Sequence, residues 1–167
     1  MMWPSLALLA FVTAQRLAEL AFARHNTRVL LNSGAKEVAP QHYPFVVALH
    51  GCWIAGLWLL AIGRPVDAIW FAVFMVLQAG RLWVIGTLKG RWTTRIIVLP
   101  GAPLVSSGPY RFMAHPNYVI VAGEIAVLPL SFGMPLYAAT FSVLNAAVLY
   151  VRIKAENEAL RTTMFLK

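Results

Sequence analysis

Between Tyr118 and Val151 the chain reads YVIVAGEIAVLPLSFGMPLYAATFSVLNAAVLYV, 34 residues whose only charged side chain is Glu124. A helix needs ~20 apolar residues to cross the hydrocarbon of a bilayer. The run is too long for one ordinary crossing, and Ser131-Phe132-Gly133-Met134-Pro135 interrupts it with helix breakers. It therefore predicts two short helices folded into a hairpin, each barely able to span. The fold class follows: an all-α integral membrane protein.

The rest of the chain agrees. Of 167 residues, 60% are apolar and 12% charged, with a mean hydropathy of +0.70. Soluble domains carry ~25% charged residues, so a soluble globule is excluded. Disorder requires low hydrophobicity and is excluded too. Trp3–Ala23, Pro44–Gly63 and Asp67–Ile85 are three more apolar segments, the second with proline in its first turn and the third opened by an acidic residue. No cation precedes the first segment, so it is expected to stay as a helix rather than be cleaved. The layout is about five transmembrane helices in a single domain over residues 1–167, with a polar, helix-prone tail over about 152–163.

Net charge is +8, which would suit a nucleic-acid partner, but the cations fall in short clusters between apolar segments. With the N-terminus outside, the inner connections and tail hold Arg24, Arg28, Lys36, Lys89, Arg91, Arg95, Arg111, Arg152, Lys154, Arg161 and Lys167. The outer ones hold only Arg64. That asymmetry is the positive-inside signature and requires an odd number of crossings. The expectation is no nucleic acid and an inner (cell) membrane location, with the C-terminus cytoplasmic. Nothing in the sequence fixes an oligomeric state.

Ionisable residues at membrane depth are candidates for function. Arg16 and Glu19 are spaced to pair on one helix face. Arg81 could snorkel to the interface or join a substrate site, and it is a plausible partner for Glu124. His50 reads as a hydrogen-bonded helix contact, and Cys52 as a small packed hydrophobe. The four histidines are dispersed, so no metal site is expected. There is no Walker or dinucleotide-type glycine loop and no nucleophile elbow.

The longest polar connection, about 86–118, is rich in glycine, proline and serine yet also carries Trp92, Ile96, Leu99, Tyr110 and Phe112. Turn formers with apolar anchors make a structured loop. Within it runs Leu104-Val105-Ser106-Ser107-Gly108-Pro109-Tyr110-Arg111-Phe112-Met113-Ala114-His115-Pro116-Asn117-Tyr118, followed later by Arg152-Ile153-Lys154-Ala155-Glu156-Asn157. A Gly-x-Tyr turn, His-Pro-x-Tyr opening a helix, a helical hairpin, then Arg with Glu four residues on: this combination over about residues 90–160 resembles the isoprenylcysteine carboxyl methyltransferase family. Members are integral membrane, S-adenosylmethionine-dependent methyltransferases. Gln15-Arg16-Leu17-Ala18-Glu19-Leu20 and His42-Tyr43-Pro44…Leu49-His50 are similar to the bacterial branch, which acts on alkylpyrones and alkylresorcinols.

The resemblance implies a cytoplasmic cofactor loop. S-adenosylmethionine would be held by Ala102, Pro103, Leu104 and Val105 through backbone contacts, and by Tyr110, His115, Pro116, Asn117, Tyr118 and Glu156. Arg152 and Glu156 are the implied catalytic residues. Arg152 would hold the acceptor oxygen, with Arg81 a second substrate-binding candidate. The chain departs from the family pattern at Ala114, usually arginine, and at Asn157, often glutamate. It also ends at Lys167, before an aromatic tail that longer members carry.

Taken alone, His115 and Tyr118 would read as a helix cap and an interfacial aromatic, and Arg152 with Glu156 as a surface ion pair. The expected activity is O-methylation of a lipophilic acceptor drawn from the bilayer, most simply a long-chain polyketide hydroxyl or enol. Carboxyl methylation of isoprenylcysteine is the alternative. A small transporter or assembly protein, with Arg16, Glu19, Arg81 and Glu124 as a polar pathway, is the competing class; it should show repeats, and none is present.

Overall fold

A computed structural model describes residues 3–164 of the chain. Five α-helices carry the architecture: α1 Trp3–Asn32, α2 Tyr43–Leu60, α3 Ala68–Leu88, α4 Pro116–Ser131 and α5 Pro135–Met164. Four of them, all but α4, are long and apolar enough to cross a membrane. The protein is an all-α integral membrane protein.

The fourth helix departs from a simple five-span reading. Its 16 residues rise ~24 Å at ~1.5 Å each, short of the ~30 Å hydrocarbon thickness. It is nonetheless the most enclosed helix, with Ile120, Val121, Glu124, Ile125, Val127, Leu128, Pro129 and Ser131 all buried. Packed among its neighbours, α4 has little lipid to match. Gly123 makes the closest approach possible, because a Cβ there would lie 2.9 Å from Leu77 Cδ2 of α3. The main core gathers Leu9 and Val12 of α1, Trp53 and Leu57 of α2, and Phe74 of α3 around Ile125 and Leu128.

Three boundaries differ from the sequence reading. The first helix runs on to Asn32, so Arg24 and Arg28 sit on it and not in a loop. The tail after Val151 is not a separate helix: α5 continues unbroken for 30 residues, because nothing in 152–163 breaks a helix. The long connection starts after Leu88 and contains 3-10 turns at Lys89–Arg91 and Gly108–Arg111. It also contributes β2 (Ile97–Val98), antiparallel to β1 (Lys36–Glu37) between α1 and α2. Two residues per strand are too few for an alternating pattern to show in sequence.

The two ends of the bundle differ chemically. At one end the Asp67 side chain accepts from Ile69 and Trp70 backbone N–H, capping α3. Gly63 N–H donates to Ser5 Oγ nearby, beside Arg64. The other end carries the β1–β2 ribbon, the long loop and most of the cations. Lys167, one of those counted from sequence, lies outside the described residues.

Between the ends lies a buried polar cluster. Glu124 accepts from Gln78 Nε2 (2.7 Å), Arg81 Nε (2.9 Å), Arg81 Nη2 (2.6 Å) and Arg16 Nη2 (2.6 Å). Arg16 also pairs with Glu19 at 3.3 Å and Arg81 with Glu19 at 3.5 Å. Two cations and two carboxylates thus neutralise one another across α1, α3 and α4, as buried charges must. His50 Nδ1 contacts the Val46 carbonyl of its own helix at 2.9 Å. Cys52, expected to be packed, is exposed on the outer face of α2, since its neighbour Trp53 takes the inward position.

Candidate active site

The site assembles where α4 begins and α5 ends. Pro116 opens α4, its fixed φ suiting the first helical position. Two residues on, Tyr118 lies against α5, where Arg152 and Glu156 fall one turn apart on the same face. They do not pair directly. Arg152 Nε donates to the Tyr118 hydroxyl at 2.9 Å, and that hydroxyl donates to Glu156 Oε2. Arg152 Nη2 is held by the Thr94 carbonyl at 2.6 Å. The cation is 9% exposed.

His115 stacks on Tyr118, with ring centroids 5.3 Å apart and planes at 26°. It makes no side-chain cap on α4. Its Nε2 instead meets Asn157 Oδ1 at 3.0 Å, and its Nδ1 lies 3.9 Å from Glu156. Asn157, noted from sequence as a departure, therefore fixes the imidazole.

The preceding turn is set by Gly108, whose φ of 57° lies in the left-handed region and whose Cα sits too close to Thr87 for a side chain. This turn directs Tyr110 inward. Burial, reinforced by the Glu156 carboxylate, pushes the Tyr110 hydroxyl up to about 12.

A cavity of about 910 Å³ opens against these groups. Ala102, Pro103, Leu104, Val105, Tyr110, His115, Asn117, Tyr118, Arg152 and Glu156 all line it. Pro116 does not; it is buried behind the wall. Nor does Arg81, which neither snorkels nor reaches the cavity. At 2% exposure its guanidinium is engaged by Glu124 and Glu19.

Other wall residues carry no signal as isolated letters. Arg95 binds Glu37 at 2.9 Å and lies 4.4 Å from the centre of the Tyr43 ring, while Tyr43 hydroxyl meets Thr94 Oγ1 at 3.2 Å. Glu37 and the start of α2 thereby brace the segment just before β2, whose Thr94 carbonyl holds Arg152. Asn26 Nδ2 donates to the carbonyls of Lys89 and Trp92, at 3.0 and 2.9 Å, and so fastens the end of α1 to the loop. Arg91 Nη1 donates to the Pro103 carbonyl at 2.6 Å and steadies the 102–105 segment. Two buried polar atoms of the wall residues lack a partner: Trp92 Nε1 and Asn117 Oδ1.

A helical membrane bundle with a roomy, partly polar cavity at one end defines an integral membrane protein built to bind a ligand there. Residues 69–162 match the isoprenylcysteine carboxyl methyltransferase (ICMT) family, and the chain belongs to this family of membrane methyltransferases. It is also 37% identical over 159 residues to the protein named "Uncharacterized protein YpbQ" of Bacillus subtilis (strain 168), across 92% of this chain and 95% of that one. No solved structure matches it.

Proposed function

We propose that the chain is an S-adenosylmethionine-dependent O-methyltransferase whose acceptor is a lipophilic molecule drawn from the bilayer, a long-chain polyketide hydroxyl or enol. The observation that carries this reading is convergence: residues scattered from 102 to 156, named from the family pattern, line one cavity. Its volume lies near the top of the ~300–1,000 Å³ usual for ligand pockets, which suits a cofactor and an acceptor head together.

The wall fits the cofactor in chemical type. Glu156 offers a carboxylate to an ammonium group, and Tyr110 and Asn117 offer polar atoms beside apolar Leu104 and Val105. When bound, S-adenosylmethionine supplies a methyl group already activated on a sulfonium, so the protein's task is alignment and exclusion of water. Arg152 has Nε and Nη2 committed to Tyr118 and Thr94, which leaves Nη1 to hold an acceptor oxygen. Among the wall residues Arg91, Arg95 and Arg152 outnumber Glu156, which favours an acceptor oxygen that reacts as an anion. An acidic enol, conjugated to a carbonyl, or a carboxylate ionises unaided, whereas a phenol of pKa ~10 benefits from a base.

The cation-rich end of the bundle faces the cytoplasm in this reading, by the positive-inside rule, with the N-terminus outside and the membrane that of a bacterial cell. Exposed Leu104, Phe112 and Met113, with Trp83 6.4 Å from Phe112, place apolar surface beside the cavity where an acceptor's tail would remain in lipid. Each methylene left in hydrocarbon is worth ~0.8 kcal/mol. Purified protein given labelled cofactor with alkylpyrone, alkylresorcinol or prenylcysteine, read by mass spectrometry, tests the acceptor class. Methylation of prenylcysteine alone would replace the polyketide reading with the carboxyl-methylating one. Methylation of none of them would remove both.

A further inference from the structure

We propose that Tyr43 is a positioning residue for the methyl acceptor: through Thr94 it holds the backbone carbonyl that fixes Arg152 at the cavity wall. This rests on the reading of Arg152 as the group that receives the acceptor oxygen. It adds a determinant from the start of α2, outside the 69–162 segment that carries the family match.

Two bonds fix the Arg152 guanidinium. Nε donates to the Tyr118 hydroxyl at 2.9 Å and Nη2 to the Thr94 carbonyl at 2.6 Å. A planar fork held at two nitrogens keeps its third, Nη1, in one direction. Tyr118 belongs to α4, but Thr94 lies in the irregular stretch between the Lys89–Arg91 turn and β2. Backbone of that kind is mobile unless something fastens it.

Side chains supply the fastening. Thr94 Oγ1 meets the Tyr43 hydroxyl at 3.2 Å. One residue on, Arg95 Nη1 reaches both Glu37 oxygens at 2.9 Å, and its guanidinium lies 4.4 Å from the centre of the Tyr43 ring. Thr93 Oγ1 donates to the Arg95 carbonyl at 2.8 Å. Thr93 and Arg95 line the cavity, whereas Thr94, Tyr43 and Glu37 do not. Tyr43 thus touches Thr94 and Arg95 at once from behind the wall. Ala39, between Glu37 and Tyr43, has φ 50°, a left-handed backbone that persists only where its surroundings impose it. The Arg95 side chain is 40% exposed, and exposed ion pairs contribute little. The Tyr43–Thr94 bond is the joint whose loss frees the carbonyl.

Steady-state kinetics on the detergent-purified full chain test this, with whichever of alkylpyrone, alkylresorcinol or prenylcysteine wild type methylates. Tyr43→Phe keeps the ring beside Arg95 and removes only the hydroxyl. The acceptor KM should rise about three- to tenfold, the loss expected for one neutral hydrogen bond. Calorimetric affinity for S-adenosylhomocysteine and thermal stability should stay near wild type. Thr94→Val should show the same split, and Thr94→Ser, which keeps a hydroxyl, should recover most of it. Tyr43→Phe combined with Thr94→Val should lose no more than either alone, because both remove the same bond. An acceptor KM within about twofold of wild type in both single variants, additive losses in the double variant, or a matching loss of S-adenosylhomocysteine affinity would each overturn the positioning role alone. Wild type that methylates none of the three acceptors would overturn the acceptor reading beneath it, and the positioning role with it.

Discussion

Arg152 reaches the Tyr118 hydroxyl at 2.9 Å, and the same hydroxyl serves Glu156. One phenol thus sets the positions of a cation and an anion from a helix it does not belong to. Tyr118→Phe removes that link while keeping the ring that stacks on His115. Hydrogen bonds to charged groups contribute ~1.5–3 kcal/mol, so kcat/KM should fall between about ten- and a hundredfold. Steady-state kinetics on the folded variant measures this, and a change within about twofold would show that Arg152 and Glu156 are held without it.

The buried cluster around Glu124 is predicted to serve stability and not the cavity. Arg81→Met leaves the Glu124 carboxylate without one of its two cations, and breaking a buried pair costs ~3–5 kcal/mol. Thermal unfolding in detergent should show a large loss, with much of it restored in the Arg81→Met, Glu124→Leu double variant. The double variant should bind S-adenosylhomocysteine like wild type. Weakened binding in that folded protein would return Arg81 to the site.

Tyr110 supplies a pH prediction. Its folded pKa of about 12 lies above the unfolded value of 10. The raised pKa means the folded state keeps the proton longer, so its contribution is fully present below pH 10 and is lost as pH rises from 10 towards 12. No titration of Tyr110 should touch cofactor binding between pH 6 and 9. Phenolate absorbance should lose one of its late-titrating tyrosines in Tyr110→Phe, and that variant's stability should decline less steeply above pH 10. Loss of an early-titrating signal instead would place Tyr110 in water.

Asp67 caps α3 at the end away from the cavity, accepting at 2.9 and 3.0 Å. Asp67→Ala should cost ~1 kcal/mol of stability and leave kinetic constants unchanged. Altered turnover would mean that the two ends of the bundle are coupled.

What the sequence disclosed followed physical periodicity and motif. Segment length and hydropathy placed the apolar helices, and Ser131-Phe132-Gly133-Met134-Pro135 placed the hairpin turn. The family resemblance over residues 102–118, with Arg152 and Glu156, named one side of the cavity wall in advance, and left unnamed the side formed by residues 91–99. What stayed hidden depends on tertiary contact. Thr94 acts through a carbonyl, which no residue type announces, and Trp92 matters because Asn26, 66 positions away, pins its backbone. Arg81 had both a substrate-site and a structural reading, with Glu124 as a candidate partner, until the packing of α3 on α4 joined the two. Cys52 and Trp53 are neighbours in one apolar run, and only the orientation of α2 decides which faces in.

The central claim is methyl transfer to a lipid at the cavity that holds Arg152. The most direct measurement follows the labelled methyl group of S-adenosylmethionine into organic-extractable product, using purified protein in vesicles supplied with bacterial lipid extract. Wild type should transfer label to a lipophilic product, and Arg152→Ala should retain the fold and S-adenosylhomocysteine binding while transferring none. Label that never enters the organic phase with wild type, or that enters it equally with Arg152→Ala, would contradict the account.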